Sequence, residues 1–97
     1  MVAVIIEYKE TSLIDKKKIP LSWTVMNFKN FLAKTTKIPS NMLIVTCYAD
    51  PSSGPELLTE NHKNLSFYSL MAGSRIVVER EAWLDILQMF NMFVLLT

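Results

Sequence analysis

Glycine, cysteine and histidine are nearly absent from this chain of 97 residues, which contains two glycines, one cysteine and one histidine. Two glycines cannot build the glycine-rich loop that cradles phosphate groups in nucleotide-binding proteins. A single cysteine excludes an internal disulfide and is typical of a reducing, intracellular compartment. No cluster of His and Cys residues has the spacing of a zinc site, so we expect neither a metal nor another cofactor.

The two residue types that could support cysteine–histidine catalysis stand alone in the sequence. Such catalysis needs Cys47 and His62 to meet beside a third group that orients the imidazole. Cys47 lies within an apolar run, residues 42–49, where a thiol is expected to be buried and unreactive. We therefore expect no enzymatic activity.

Charge is nearly balanced, with ten Lys and Arg residues against nine Asp and Glu residues and a formal net charge of +1. This balance argues against a dedicated nucleic-acid-binding protein, which needs a strongly basic surface. Hydrophobic residues make up 51% of the chain. That share predicts a folded chain, and the length is that of a single domain.

Short apolar runs rich in β-branched residues predict strands. They cover residues 2–8, 42–49 and 75–80, and a brief fourth element falls at residues 57–58. A polar segment after the first run predicts a turn and a second, exposed strand that continues through Ile19. Pro20 lacks the N–H that a central strand donates, so this strand lies at a sheet edge or ends there.

One amphipathic helix is predicted between the second strand and the 42–49 run. Thr24 is a good N-cap residue, and Val25, Phe28 and Leu32 follow on one stripe. The helix ends near Ile38, because a residue that precedes proline avoids helical geometry. The predicted core comprises Val4, Ile6, Ile19, Val25, Phe28, Leu32, Ile38, Ile44, Leu65, Leu70, Ile76 and Val78.

Two segments carry a resemblance to a known family. The spacing from Thr24-Val25 through Phe28-Lys29 and Leu32 to Ile38-Pro39 is that of the ubiquitin helix and its exit. The segment 65–70 (LSFYSL) resembles the Leu-Ser-x-Tyr-x-Ile loop before the last ubiquitin strand. The resemblance implies a ubiquitin-like β-grasp of the α+β class, a mixed sheet packed on one helix, over residues 1–80. It also implies that the Tyr68 hydroxyl closes its loop by bonding to the backbone.

A narrower resemblance points to the tubulin-folding cofactors. Residues 19–25 (IPLSWTV), 40–43, 54–56 and 67–69 are similar to the C-terminal ubiquitin-like domain of the cofactor E and cofactor E-like family. This implies a non-catalytic protein-interaction module in tubulin folding, dissociation or turnover, with tubulin or other tubulin cofactors as partners. It also implies a cytoplasmic location with the cytoskeleton. The alternative is a free-standing ubiquitin-like adaptor that links a partner to the ubiquitin and proteasome system.

Conjugation to other proteins is not expected. A ubiquitin-type modifier resembles an acyl donor whose Gly-Gly end can thread a narrow active site because it has no Cβ atoms. No Gly-Gly pair occurs anywhere in this sequence.

Resemblance to ubiquitin also implies a recognition patch on the exposed face of the sheet. The spacing from Ile38 to Val45 is one residue shorter than in ubiquitin. Alignment by alternation therefore places Met42 and Ile44 inward and their neighbours outward. The predicted partner-binding face comprises Leu43, Val45, Val77 and Lys29. If Val45 instead points inward, the face is built from Ile44. Glu79 stands where ubiquitin has an apolar patch residue, which argues against binding to ubiquitin receptors.

A run of three lysines, Lys16, Lys17 and Lys18, lies on the predicted edge strand. Lysines on an edge discourage pairing with the strands of other molecules. The same cationic edge is also suited to an acidic partner surface, such as that of tubulin.

The chain closes with an apolar tail, residues 81–97, outside the predicted domain. The segment 82–96 (AWLDILQMFNMFVLL) is shorter than the roughly 20 residues needed to span a bilayer. Trp83, Leu87, Phe90 and Val94 recur at helical spacing, which predicts a helix with one apolar stripe. We consider a helix packed on the domain, a helix that binds a membrane surface or a partner, and a non-homologous end that does not fold.

Overall fold

The structure is a computed structural model that describes residues 1–81, so the predictions for the tail lie outside the described residues. The main elements are β1 (Val2–Tyr8), β2 (Leu13–Ile19), α1 (Val25–Thr36), β3 (Leu43–Tyr48), β4 (Glu56–Leu57) and β5 (Arg75–Arg80). Short 3-10 helices cover Ser40–Met42 and Leu65–Tyr68.

Five strands form one mixed sheet in the order β2-β1-β5-β3-β4. The two strands most distant in sequence, β1 and β5, pair in parallel near its centre, and the other pairs are antiparallel. β2 lies at one edge, as Pro20 predicted. The helix packs against one side of this sheet through the core cluster. The predicted β-grasp architecture is therefore confirmed.

The helix begins and ends as its sequence predicts. The Thr24 hydroxyl accepts a hydrogen bond from the Asn27 N–H, and the Asn27 side-chain oxygen accepts one from the Thr24 N–H, both at 3.1 Å. This reciprocal capping box satisfies N–H groups that the first helical turn leaves without partners. At the other end Lys37 adopts the left-handed conformation (φ 64°), and its N–H donates to the Ala33 carbonyl at 2.9 Å. The chain therefore turns away just before Ile38-Pro39.

The core lies between the helix and the sheet and contains most of the predicted residues. Val25, Phe28 and Leu32 are fully buried on the helix stripe. Two predicted core residues differ. Ile38 is partly buried against the core, and Ile44 lies outside it. The core also includes side chains that were not in the predicted set: Tyr8, Leu43, Val45, Cys47, Leu58 and Tyr68.

The predicted orientation of β3 is wrong by one residue. Leu43 and Val45 were expected to point outward, but they are 5% and 1% exposed and belong to the core. The cause is the 3-10 turn before the strand, where the Met42 N–H donates to the Pro39 carbonyl at 2.9 Å. A count of alternate residues is valid only along extended chain, so it fails across this turn. Ile44 therefore faces away from the core.

Tyr68 has the role that the resemblance implied. Its ring is buried, and the backbone N–H of Glu60 donates a hydrogen bond to its hydroxyl. Burial raises the pKa of Tyr68, whereas this hydrogen bond acts in the opposite direction. This hydrogen bond therefore connects the 3-10 helix Leu65–Tyr68 to the loop that follows β4.

We expect Phe28→Ala and Leu32→Ala each to lower the free energy of unfolding by about 2–5 kcal/mol, because each leaves a cavity in a packed core. Urea denaturation followed by circular dichroism measures the change. Met26→Ala is the matched control, since Met26 is an exposed apolar residue of the same helix. Equal losses in all three variants would contradict the assigned helix stripe.

The orientation of β3 predicts opposite outcomes for neighbouring substitutions. Val45→Lys should unfold the domain, because burial of an unpaired ammonium group costs several kcal/mol, comparable with the stability of a small protein. Ile44→Lys should leave the thermal midpoint within a few degrees, because it places the ammonium group outside the core and across from Glu79. Differential scanning fluorimetry compares the two. If the Val45→Lys protein is stable, Val45 points outward, as the sequence analysis predicted.

Candidate functional site

The sheet has a side opposite the helix, formed by residues that alternate with the core residues along each strand. We call this surface the outer sheet face. It comprises Ile5, Glu7, Ile44, Thr46, Tyr48, Arg75, Val77 and Glu79. Three strands supply these residues, and the pairing of β1 with β5 brings together positions that are 70 residues apart in sequence.

Arg75 is the charged centre of the outer sheet face. It pairs in register with Ile5 of β1 and Tyr48 of β3. Its Nε lies 2.8 Å from Oε2 of Glu7, and its guanidinium carbon lies 4.7 Å from the centre of the Tyr48 ring. An exposed ion pair adds little stability, but the carboxylate and the ring together restrict where the guanidinium can lie. The face therefore presents a positioned cation.

A shallow pocket of about 220 Å³ opens beside Arg75. Ile5, Tyr48, Asp50, Pro51, Gly73 and Arg75 line it. The Asp50 carboxylate accepts hydrogen bonds from the N–H and the hydroxyl of Ser52, at 2.8 and 2.6 Å, and these bonds lower the pKa of Asp50. Asp50 keeps its negative charge in this turn, so the pocket offers a partner apolar and aromatic walls, the Arg75 guanidinium and one carboxylate.

The predicted partner-binding face does not form. Val77 lies on the outer sheet face and pairs with Thr46, but it is only 3% exposed. Leu43 and Val45 are in the core, as described above. Lys29 lies on the helix, where its ammonium group donates to the Asn61 side-chain oxygen at 3.2 Å and burial lowers its pKa. The helix is on the other side of the sheet, so no two of these residues share an accessible surface.

The three edge lysines divide between the two sides of the sheet. Lys16 and Lys18 pair with Ile5 and Ala3 and flank the outer sheet face. Lys17 points to the opposite side, where its ammonium group lies 3.7 Å from Asp15. Two lysines of the run therefore extend the positive charge of Arg75, and their contact with an acidic partner stays a prediction.

Sequence reasoning missed Ile5, Tyr48 and Arg75 as site residues. Ile5 was detectable, because it alternates with the core residues Val4 and Ile6 along a strand. Arg75 and Tyr48 gave no signal of their own, since their contact depends on how β3 and β5 pair.

The residues considered for catalysis do not share a site. Cys47 is buried in the core, whereas His62 lies exposed in a turn. Burial is the main cause that raises the pKa of Cys47 to about 11. Within residues 1–81, no group of three His, Cys, Asp or Glu side chains could hold a metal ion. The same part of the chain contains no helix long and apolar enough to cross a membrane.

Comparison with solved structures finds related folds among tubulin cofactors. The C-terminal ubiquitin-like domain of mouse tubulin-specific chaperone e is 24% identical with a TM-score of 0.72, covering 81% of this chain and 84% of that chain. Tubulin-binding cofactor B of Trypanosoma brucei is 18% identical with the same TM-score, and the coverages are 81% and 93%.

A ubiquitin-like domain of an Arabidopsis thaliana protein is similar at 19% identity, with a TM-score of 0.67 and coverages of 82% and 77%. No curated protein matches this chain. A protein-family model described as a ubiquitin-like domain matches residues 1–81. Because this match spans most of the chain and agrees with the β-grasp architecture, the chain belongs to the ubiquitin-like domain family.

Proposed function

We propose that this chain is a non-catalytic docking module of a tubulin-folding cofactor and that its outer sheet face holds the protein partner. The positioned Arg75 guanidinium beside the Ile5 and Tyr48 pocket is the observation that carries the proposal. The apolar pocket beside the Arg75 guanidinium suits a partner segment in which a hydrophobic side chain is followed by a carboxylate. Ubiquitin-like domains mediate protein–protein interaction, and the neighbours named as a tubulin-specific chaperone and a tubulin-binding cofactor support tubulin as the partner.

Charge on the outer sheet face favours an acidic partner. Lys16, Lys18 and Arg75 lie on the side formed by β2, β1 and the start of β5. Glu7 balances the charge of Arg75, so the net positive charge of this side comes from Lys16 and Lys18, and Glu79 lies at the opposite end of β5. Complementary charge of this kind speeds encounter and selects partners more than it adds affinity, and it is weakened by salt. As a module that acts on tubulin, it is located in the cytoplasm in association with the cytoskeleton under this proposal.

A binding experiment tests this proposal. We expect purified tubulin dimers to bind the full chain and the Lys16→Glu/Lys18→Glu double variant to bind about tenfold more weakly at low salt, because charge reversal removes the complementarity. The control is Lys34→Glu/Lys37→Glu, which changes the net charge equally at the end of the helix, on the other side of the sheet. Biolayer interferometry at two salt concentrations gives the affinities.

Three results would contradict the proposal: no binding to tubulin, equal weakening by both double variants, or an affinity that salt does not affect. Capture of proteasome subunits without tubulin would instead favour the adaptor function.

The non-catalytic assignment predicts an unreactive thiol. Since the thiolate is the nucleophile, a pKa of about 11 instead of 9.0 lowers its fraction at pH 8 by about a hundredfold. Cys47 should react with Ellman's reagent far more slowly in native buffer than in 6 M guanidinium chloride (about the concentration that unfolds most domains). Comparable rates would show an accessible, activated thiol and reopen the question of catalysis.

A further inference from the structure

The two edges of the sheet differ in how open they are to a further strand. β4 forms one edge and is two residues long, Glu56–Leu57, and Pro55 just before it has no N–H to donate. β2 forms the other edge and is extended over seven residues, Leu13–Ile19. Within residues 1–81, β2 pairs with β1 alone, so one row of its backbone N–H and C=O groups points away from the sheet. β2 is therefore the edge suited to accept a further strand.

One side of this edge carries two cations and an apolar residue at regular intervals. Ile14, Lys16 and Lys18 alternate along β2 and lie on the side of the outer sheet face, and we call them the outer row of β2. All three are exposed, and within the described residues neither lysine has an ion-pair partner. Neighbours in this row are about 7 Å apart, which is twice the rise per residue of a strand. The row therefore presents two free positive charges at a defined spacing.

The other side of β2 offers little to a charged partner. Leu13, Asp15 and Lys17 point there, and the Lys17 ammonium group lies 3.7 Å from the Asp15 carboxylate. The two charges of this pair offset each other. Ile19, which continues the same side, is buried in the core. Recognition by charge is thus confined to the outer row.

A second copy of the chain is a poor occupant of this edge. Three lysines against one aspartate give β2 a net positive charge, so two β2 strands repel each other when they approach edge to edge. The same lysines do not prevent pairing with a strand that carries carboxylates, because opposite charges in cross-strand pairs are stabilising. The edge therefore selects an acidic occupant.

We propose that the β2 edge binds an extended acidic segment of another protein, which adds to the sheet as a further strand. The segment runs antiparallel to β2, the orientation with the more stable hydrogen-bond ladder. One of its carboxylates lies beside Lys18, a second carboxylate two residues later lies beside Lys16, and an apolar side chain two residues further lies beside Ile14. The inference rests on the proposed function for its acidic partner and adds how that partner is held.

Titration of the ¹⁵N-labelled full chain with short peptides, followed by NMR, tests the proposal. The probe is the acetylated and amidated peptide Thr-Glu-Thr-Glu-Thr-Val-Thr, which places both carboxylates and the valine beside the outer row. The control peptide Thr-Glu-Glu-Thr-Thr-Val-Thr has the same composition, but its carboxylates point to opposite sides of the strand. We expect the backbone amides of β2 to shift with the probe and the control peptide to bind about threefold more weakly, because it loses one cross-strand charge pair.

N-methylated peptides separate strand addition from attraction between charges alone. In an extended peptide the N–H groups of alternate residues point to opposite edges, so only one alternate set bonds to β2. The probe is therefore prepared in two forms, one N-methylated on both glutamates and the valine and the other on the interior threonines. We expect one form to lose binding and the other to keep it. Equal effects of the two methylations, or β2 amides that do not shift with the unmodified probe, would overturn the proposal.

Two substitutions on the same strand locate the peptide on the outer row. Lys16→Gln should weaken binding of the probe about threefold, because it removes one of the charges beside a carboxylate. Lys17→Gln is the matched control, since Lys17 is also exposed but points to the other side, and it should change the affinity by less than about twofold. Equal weakening by both would contradict binding along the outer row. If either variant does not fold, the methylated peptides still decide the question on the unaltered chain.

The peptide titration and the tubulin experiment fail separately. A chain that binds the probe as a strand but does not bind tubulin supports the acidic docking edge and overturns tubulin as the partner. A chain that binds tubulin but not the probe overturns the docking edge and leaves the proposed function in place.

Discussion

The parallel pairing of β1 with β5 is the constraint on which the rest of this structure depends. Two parallel strands cannot be joined by a tight turn, so the chain needs a long connection between residues 8 and 75. The chain uses that length for the hairpin, the helix and the β3–β4 pair. Because β1 and β5 are central strands, their inward residues need a cover, and the Phe28 and Leu32 stripe of the helix provides it.

Much of this architecture was predictable because it is determined locally. The helix could be read from Thr24 to Ile38, since its cap, its apolar stripe and its proline exit are all local signals. The orientation of β3 could not, because a three-residue 3-10 turn reverses which side chains point inward and nothing in the 42–49 run shows that turn. The shift by one residue places Leu43 and Val45, the β3 part of the predicted site, in the core, because neighbouring residues of a strand point to opposite sides.

The candidate site was less predictable than the fold for a second reason. Arg75, Glu7 and Tyr48 lie on three strands, and their contacts depend on two separate pairing registers. Alternation along one strand shows which side chains point to the same side of the sheet. It does not show which residues of the neighbouring strands lie beside them. Ile5 is therefore recognisable as an outward residue from the sequence, whereas the pairing of Arg75 with Glu7 becomes visible only once the strands are assembled.

The two sides of β1 differ in the physics of their contacts. Its outward residue Glu7 fixes Arg75 at a charged face, which suits a partner that arrives by diffusion and leaves again. Its last residue, Tyr8, points to the core side and is buried there. One strand therefore serves two purposes: its inward residues hold the core together, and its outward residues position a charged group at the surface.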